Sequence, residues 1–144
     1  MLSLEGESHE TIVVLALPLW RANGGNCLKP DEAAERPVRY RQRWHDVRNQ
    51  FGDDNRQIAV LQPELSLRFA HQNNSDYLTC PVARLQQDSQ GVWTLDDSFL
   101  PPLLSVRSSR WLMKQLDQLM TQLRARLIRL MAMRRESNER MADF

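Results

Sequence analysis

The stretch SSRWLMKQLDQLMTQLRARLIRL, from Ser108 to Leu130, divides the sequence into two kinds of pattern. Met113, Leu116, Met120, Leu123, Leu127 and Leu130 recur at alternating spacings of three and four, which lines them up along one side of a helix. A serine at 108 or 109 can accept a hydrogen bond from a first-turn amide and so begin that helix. From there to Phe144 no Pro or Gly occurs, and Leu, Met, Arg, Gln and Ala, all good helix formers, dominate. The seam covers about two and a half heptads, a length that fits either a helix packed in a bundle or a coiled-coil strand. Its continuation places Arg134 and Ser137 at seam positions before Met141 and Phe144 resume it. With no Gly or Pro terminator, the helix is expected to be cut at the end of the sequence.

Upstream of Ser108 the period changes from about 3.6 to two, and turn residues recur roughly every ten positions. Ile12, Val13 and Val14 open a β-branched run that continues through Leu17. Asn23-Gly24-Gly25-Asn26 then supplies residues that take positive φ at little steric cost, as a sharp turn requires. In the next segment Val38, Tyr40, Gln42 and Trp44 alternate with Arg39, Arg41 and Arg43, which predicts a half-buried strand with a basic outer face. Gly52 to Arg56 marks another turn, followed by Ile58, Val60 and the alternating Leu65 to Phe69. Tyr77 to Leu85 reads as a strand in which Pro81 cannot donate a ladder hydrogen bond, so it is expected at an edge or a bulge. Gln90-Gly91 turns the chain into Val92 to Leu95. Asp96-Asp97 reads as a turn into the Pro101-Pro102 corner, with Phe99 and Leu100 plugging into the core. The fold class is therefore mainly β with a long C-terminal α-helix: an antiparallel β-sandwich over residues 1–107 and a helix over 108–144.

The 144 residues are 42% hydrophobic and 26% charged, enough apolar material for a core, which excludes a disordered chain. Five glycines and two cysteines likewise exclude collagenous and disulfide-framework classes. The net charge of +1 conceals a division. Residues 108–144 carry eight basic against four acidic side chains, whereas residues 1–107 carry eleven against fourteen. Ile12 to Trp20, the most apolar stretch, is far short of a bilayer span and is interrupted by Pro18. Glu5, Glu7 and Glu10 stand before it where an export signal would carry Lys or Arg, so cytoplasmic residence with free thiols at Cys27 and Cys80 is expected.

No constellation for chemistry emerges. His9, His45, His71, Cys27 and Cys80 show neither HxxxH nor CxxC spacing, and there is no GxSxG elbow, so no metal, cofactor or catalytic residues are assigned. The glycine pair at 24 and 25 lacks the GK[ST] that would make it a phosphate loop and reads as a plain turn. The adjacent Asp96 and Asp97 would alternate faces of an extended strand and so would not converge on one substrate atom. The arginine face and the basic helix leave one alternative reading, a nucleic-acid-binding module, although a charge of +1 makes a weak electrostatic footprint.

Several segments in order carry a family likeness: Ile12 to Leu19 with Ala22 to Asn26, Glu35-Arg36-Pro37, Ala59-Val60-Leu61 leading to Leu65 to Arg68, Tyr77 to Leu85, Leu95 to Leu104, and Leu130 to Asn138. Together they resemble TssK, the baseplate-subunit family of the bacterial type VI secretion system. Members of that family are roughly three times longer, so the resemblance implies an internal portion: most of a β-sandwich shoulder and the first helix of a neck bundle. It further implies a non-enzymatic structural adaptor without cofactors, homotrimeric through the neck helix. Met113, Leu116, Met120, Leu123, Leu127 and Leu130 are then the expected oligomer interface. The implied partners are the wedge proteins TssF and TssG, with the TssJ-TssL-TssM membrane complex reached only through a C-terminal domain that this sequence lacks. No nucleic acid and no membrane insertion are implied. The implied location is cytoplasmic, at the inner face of the cell envelope.

Overall fold

The computed structural model describes residues 2–6 and 8–144; Glu7, one of the three acids that argue against an export signal, lies outside them. The chain forms two compact units, residues 1–102 and residues 103–144. Among the described residues the first holds seven strands: β1 (Glu10–Pro18), β2 (Cys27–Leu28), β3 (Tyr40–Arg48), β4 (Asn55–Pro63), β5 (Ser66–Phe69), β6 (Tyr77–Gln87) and β7 (Trp93–Leu95). They make a four-stranded sheet in the order β5-β1-β6-β7 and a three-stranded sheet in the order β2-β3-β4. All ladders are antiparallel except the two-residue β2–β3 pair, which is parallel and which the sequence pattern does not reveal. The chain is thus mainly β with a long C-terminal helix, as the change of period at Ser108 predicts.

β1 is the spine of the first sheet because it pairs on both sides, with β5 and with β6. Its β-branched residues suit a central strand whose side chains pack on a pleated surface. The core is centred on it: Thr11, Val13, Val14 and Ala16 are buried, together with Phe69, Leu28 and Val38. Burial along β1 falls on residues 11 and 13 and then on 14, 16 and 18, so the inward phase changes between Val13 and Val14. At that step the β1–β6 register slips, with Val13 opposite Ala83 but Val14 opposite Pro81. Val82 is the extra residue of a bulge, which adds local twist and re-aims the flanking side chains. Pro81 therefore sits at a bulge, one of its two expected positions, in a strand that β1 and β7 flank on both sides.

The turns follow their sequence chemistry. Gly24 and Gly25 adopt φ of 89° and 71°, and Gly91 adopts 82°. Asp88 organises the β6–β7 turn by accepting the amides of Gln90 and Val92 on Oδ1. In the β3–β4 hairpin, Asn49 receives the Phe51 amide on Oδ1 and donates from Nδ2 to Asp54 Oδ1 at 2.7 Å. That bond, with the Asp54 backbone and Arg56, holds the Asp54 carboxyl below its ordinary pKa.

Two expectations about facing are corrected. Trp44 is 57% exposed, while the Arg41 side chain, on the supposedly outer face, is only 16% exposed. Arg41 is drawn in because its guanidinium donates to the carbonyls of Lys29, Pro30 and Glu32 and pairs with Glu64 at 3.3 Å, so its charge remains solvated by protein groups. Leu100 is 40% exposed and does not plug into the core; only Phe99 is half-buried, beneath the Arg84 guanidinium at 5.6 Å.

In the second unit a short 3-10 turn (Val106–Ser108) leads into α1 (Arg110–Ala142). Of the two candidate serines, Ser109 is the cap, with extended φ and ψ and its hydroxyl accepting the Leu112 amide at 3.2 Å. The helix contains no buried residue.

Candidate protein-interaction surfaces

The seam residues all lie on α1. Leu116, Met120, Leu123, Leu127 and Leu130 are between 41% and 58% exposed, and Met113 is half-buried. At about 100° per residue the six span about 100°, with Leu112 and Met131 at the two edges and Leu119 just beyond one of them, an apolar arc of about 120°. The spacing of three and four thus finds nearly all of this arc. An arc of this breadth is the apolar stripe of a helix that packs against another element, and a strict a/d repeat of the same length projects to nearly the same width. The eight cations of residues 108–144 do not form a single stripe. Arg124 and Arg135 project to one side, Arg129 and Arg140 to another, and Arg134 falls within the apolar arc, with Asp117, Glu136 and Glu139 interleaved.

The β unit carries a charged junction where β6 meets the β7 exit. Arg84 Nε donates to Asp96 Oδ2 at 2.6 Å, while Asp96 Oδ1 accepts the Ser98 hydroxyl at 2.6 Å and the Ser98 amide at 2.9 Å. Asp96, only 11% exposed at its side chain, is held below its ordinary pKa first by the Ser98 hydroxyl and amide and then by Arg84. Asp96 thus caps a turn, and its carboxylate is fully engaged in structure. Asp97 is exposed and does not converge with it.

Among the described residues no group of three or more His, Cys, Asp or Glu side chains could hold a metal ion. Cys27 and Cys80 are free and exposed. No helix among the described residues is long and apolar enough to cross a membrane. What the surface does offer is apolar and aromatic: the α1 arc, and on the β unit Trp20 (62% exposed), Trp44 and Leu61 (56%).

Along residues 1–144 the chain matches the model of the family described as "Bacterial Type VI secretion, VC_A0110, EvfL, ImpJ, VasE". No curated protein sequence matches it. Among solved structures, a chain of the TssK-TssF-TssG baseplate subcomplex determined by cryo-electron microscopy is 43% identical, with a TM-score of 0.81 over 92% of this chain and 45% of that one. A chain of the type VI secretion baseplate complex is 46% identical, with a TM-score of 0.82 over 96% of this chain and 31% of the other. TssK from EAEC, solved with a nanobody, is 42% identical, with a TM-score of 0.71 over 94% of this chain and 43% of its own. The chain therefore spans less than half the length of the structures it matches. The antiparallel sheets, the long helix and the match along all 144 residues establish that the chain belongs to the bacterial type VI secretion family whose structurally characterised members are TssK baseplate proteins.

Proposed function

We propose that this chain serves as a structural adaptor of the type VI secretion baseplate, with a shoulder formed by residues 1–107 and a neck helix formed by residues 108–144. The observation that carries this reading is the 43% identity and the shared fold with a chain from the TssK-TssF-TssG subcomplex. In it, the β unit meets the wedge proteins TssF and TssG, and the α1 arc packs against the same helix of two further copies. The exposure of Leu116, Leu123, Leu127 and Leu130 supports self-association, since covering one leucine side chain is worth about 1.5 to 3 kcal/mol and these leucines are uncovered in the single chain. The link to the TssJ-TssL-TssM membrane complex belongs to the longer protein, which works on the cytoplasmic side at the inner face of the envelope. The role is architectural and calls for no cofactor.

The test is co-purification with TssF and TssG from the same bacterium. Tagged chain should retain both at stoichiometric levels after a wash in moderate salt, and failure to retain either would overturn the wedge assignment.

A further inference from the structure

On the β unit, Trp20, Gly25, Asn26, Cys27, Tyr40 and Leu61 line an open depression of about 630 Å³. Its wall is pre-organised. The Asn26 side chain accepts the Arg21 amide at 2.8 Å and donates to the Arg21 carbonyl at 2.7 Å, pinning the loop that carries Trp20. The Asn26 carbonyl in turn accepts the Tyr40 amide at 2.9 Å, which ties that loop to β3. The Trp20 and Tyr40 rings meet edge to face with centroids 6.4 Å apart. A rigid aromatic recess of this kind loses little entropy when an apolar side chain enters it, and Trp and Tyr dominate the binding energy of protein interfaces for that reason.

The charge around the recess has one sign in excess. Arg36 brings its guanidinium against Gly25, within 3.4 Å of where a Cβ would stand. Arg39 lies 5.9 Å from the Tyr40 ring centroid; it donates to the Pro18 carbonyl, and its Nε is buried without a hydrogen-bond partner. Neither arginine has a carboxylate partner among the described residues, and Arg21 has only Asp76 at 3.9 Å. The Arg36 guanidinium, with no carboxylate partner, favours a carboxylate that can accept two parallel hydrogen bonds, while Arg39, its Nε enclosed and its Nη1 on Pro18, adds positive potential.

We infer that this recess receives an acidic protein segment in which one apolar or aromatic side chain, flanked by Asp or Glu, enters beside Trp20 while a carboxylate meets Arg36 in the positive field of Arg39. A polyanion such as single-stranded nucleic acid fits less well. The surrounding residues 1–107 are net acidic, with eleven basic against fourteen acidic side chains, which repels a run of phosphates while a short segment meets only the local arginines. The inference stands on the recess alone and does not require the baseplate reading.

The experiment uses the full chain and fluorescently labelled nine-residue peptides with a central Phe between Asp and Glu residues, read by anisotropy. The acidic Phe peptide should bind saturably. Replacing its acids with Lys, or its Phe with Ala, should each weaken binding at least tenfold, and raising the salt should weaken the parent peptide. Trp20→Ala and Arg36→Glu should each lower affinity at least fivefold, whereas Trp93→Ala on β7 should leave it unchanged. Leu61→Asp serves in place of Trp20→Ala if circular dichroism shows the latter to be unfolded. Absence of binding, equal binding of the Lys peptide, tighter binding of an oligo-dT probe, or insensitivity to the recess variants would each overturn the inference.

Discussion

Arg84 Nε lies 2.6 Å from Asp96 Oδ2, and the same guanidinium covers the Phe99 ring, so one side chain fixes the exit of β7 to β6. The Asp96 amide returns a backbone bond to the Arg84 carbonyl at 2.9 Å. The junction thus joins a ladder-end bond, an ion pair and an aromatic contact at two residues twelve positions apart.

The pH dependence of the junction follows from Asp96. Its folded pKa lies below the unfolded value of about 3.9, so the stabilisation is fully present above that pH and is lost as the pH falls through the folded pKa. Asp96→Asn should therefore melt below the parent protein at about pH 7, and the difference should shrink at about pH 3. Thermal melts at the two pH values check this, and a gap that does not change with pH would show that the carboxylate charge is irrelevant.

Ser109, not Ser108, caps α1, because only its hydroxyl reaches a first-turn amide. Ser109→Ala should cost about 1 kcal/mol of stability in the helical unit, with fraying of the first turn. Ser108→Ala should be close to neutral. Hydrogen exchange at the Leu112 and Met113 amides distinguishes the two variants.

Ala16 is fully buried on a strand that is paired on both sides. Ala16→Leu should destabilise the β unit by about 1 to 3 kcal/mol through overpacking. Phe69→Ala, which empties a site that is 2% exposed, should cost about 3 to 5 kcal/mol. Leu15→Ala, between these buried positions but 36% exposed, should cost distinctly less than either. Urea denaturation of the three variants gives the ranking.

The α1 arc is the expected oligomer contact, so Asp at Leu116, Leu123 and Leu130 together should convert a trimer to monomer in sedimentation velocity. Ile128 is 69% exposed and projects outside the arc. Ile128→Asp should leave the sedimentation coefficient unchanged. A triple variant that sediments like the parent would show that the arc packs within one chain.

The residues alone determined most of the secondary structure, for reasons that are local. The β-branched run at Ile12 to Val14, the positive-φ glycines at 24, 25 and 91, and the unbroken run of helix formers after Ser109 each act within a few residues, so their effect is legible along the sequence. Even the Pro81 bulge was foreshadowed, because a missing amide hydrogen is a property of the residue itself. The apolar seam from Met113 to Leu130 is legible for the same reason, since helical spacing is a one-dimensional signal.

The tertiary structure decided what depends on partners distant in sequence. The alternation of β3 says that its two sides differ but not which side is buried. Arg41 is drawn in because carbonyls from residues 29, 30 and 32 and the carboxylate of Glu64 converge on it, while Trp44 is left outside. The inward phase of β1 changes at Val13 and Val14 where the extra residue lies on β6, about seventy positions along the chain. The Trp20 recess needs a loop, a two-residue parallel strand and β4 to be brought together, and no periodicity encodes such a meeting. Local stereochemistry writes strands, turns and the helix into the sequence; burial and recess arise from contacts whose energies exist only once the chain has closed on itself.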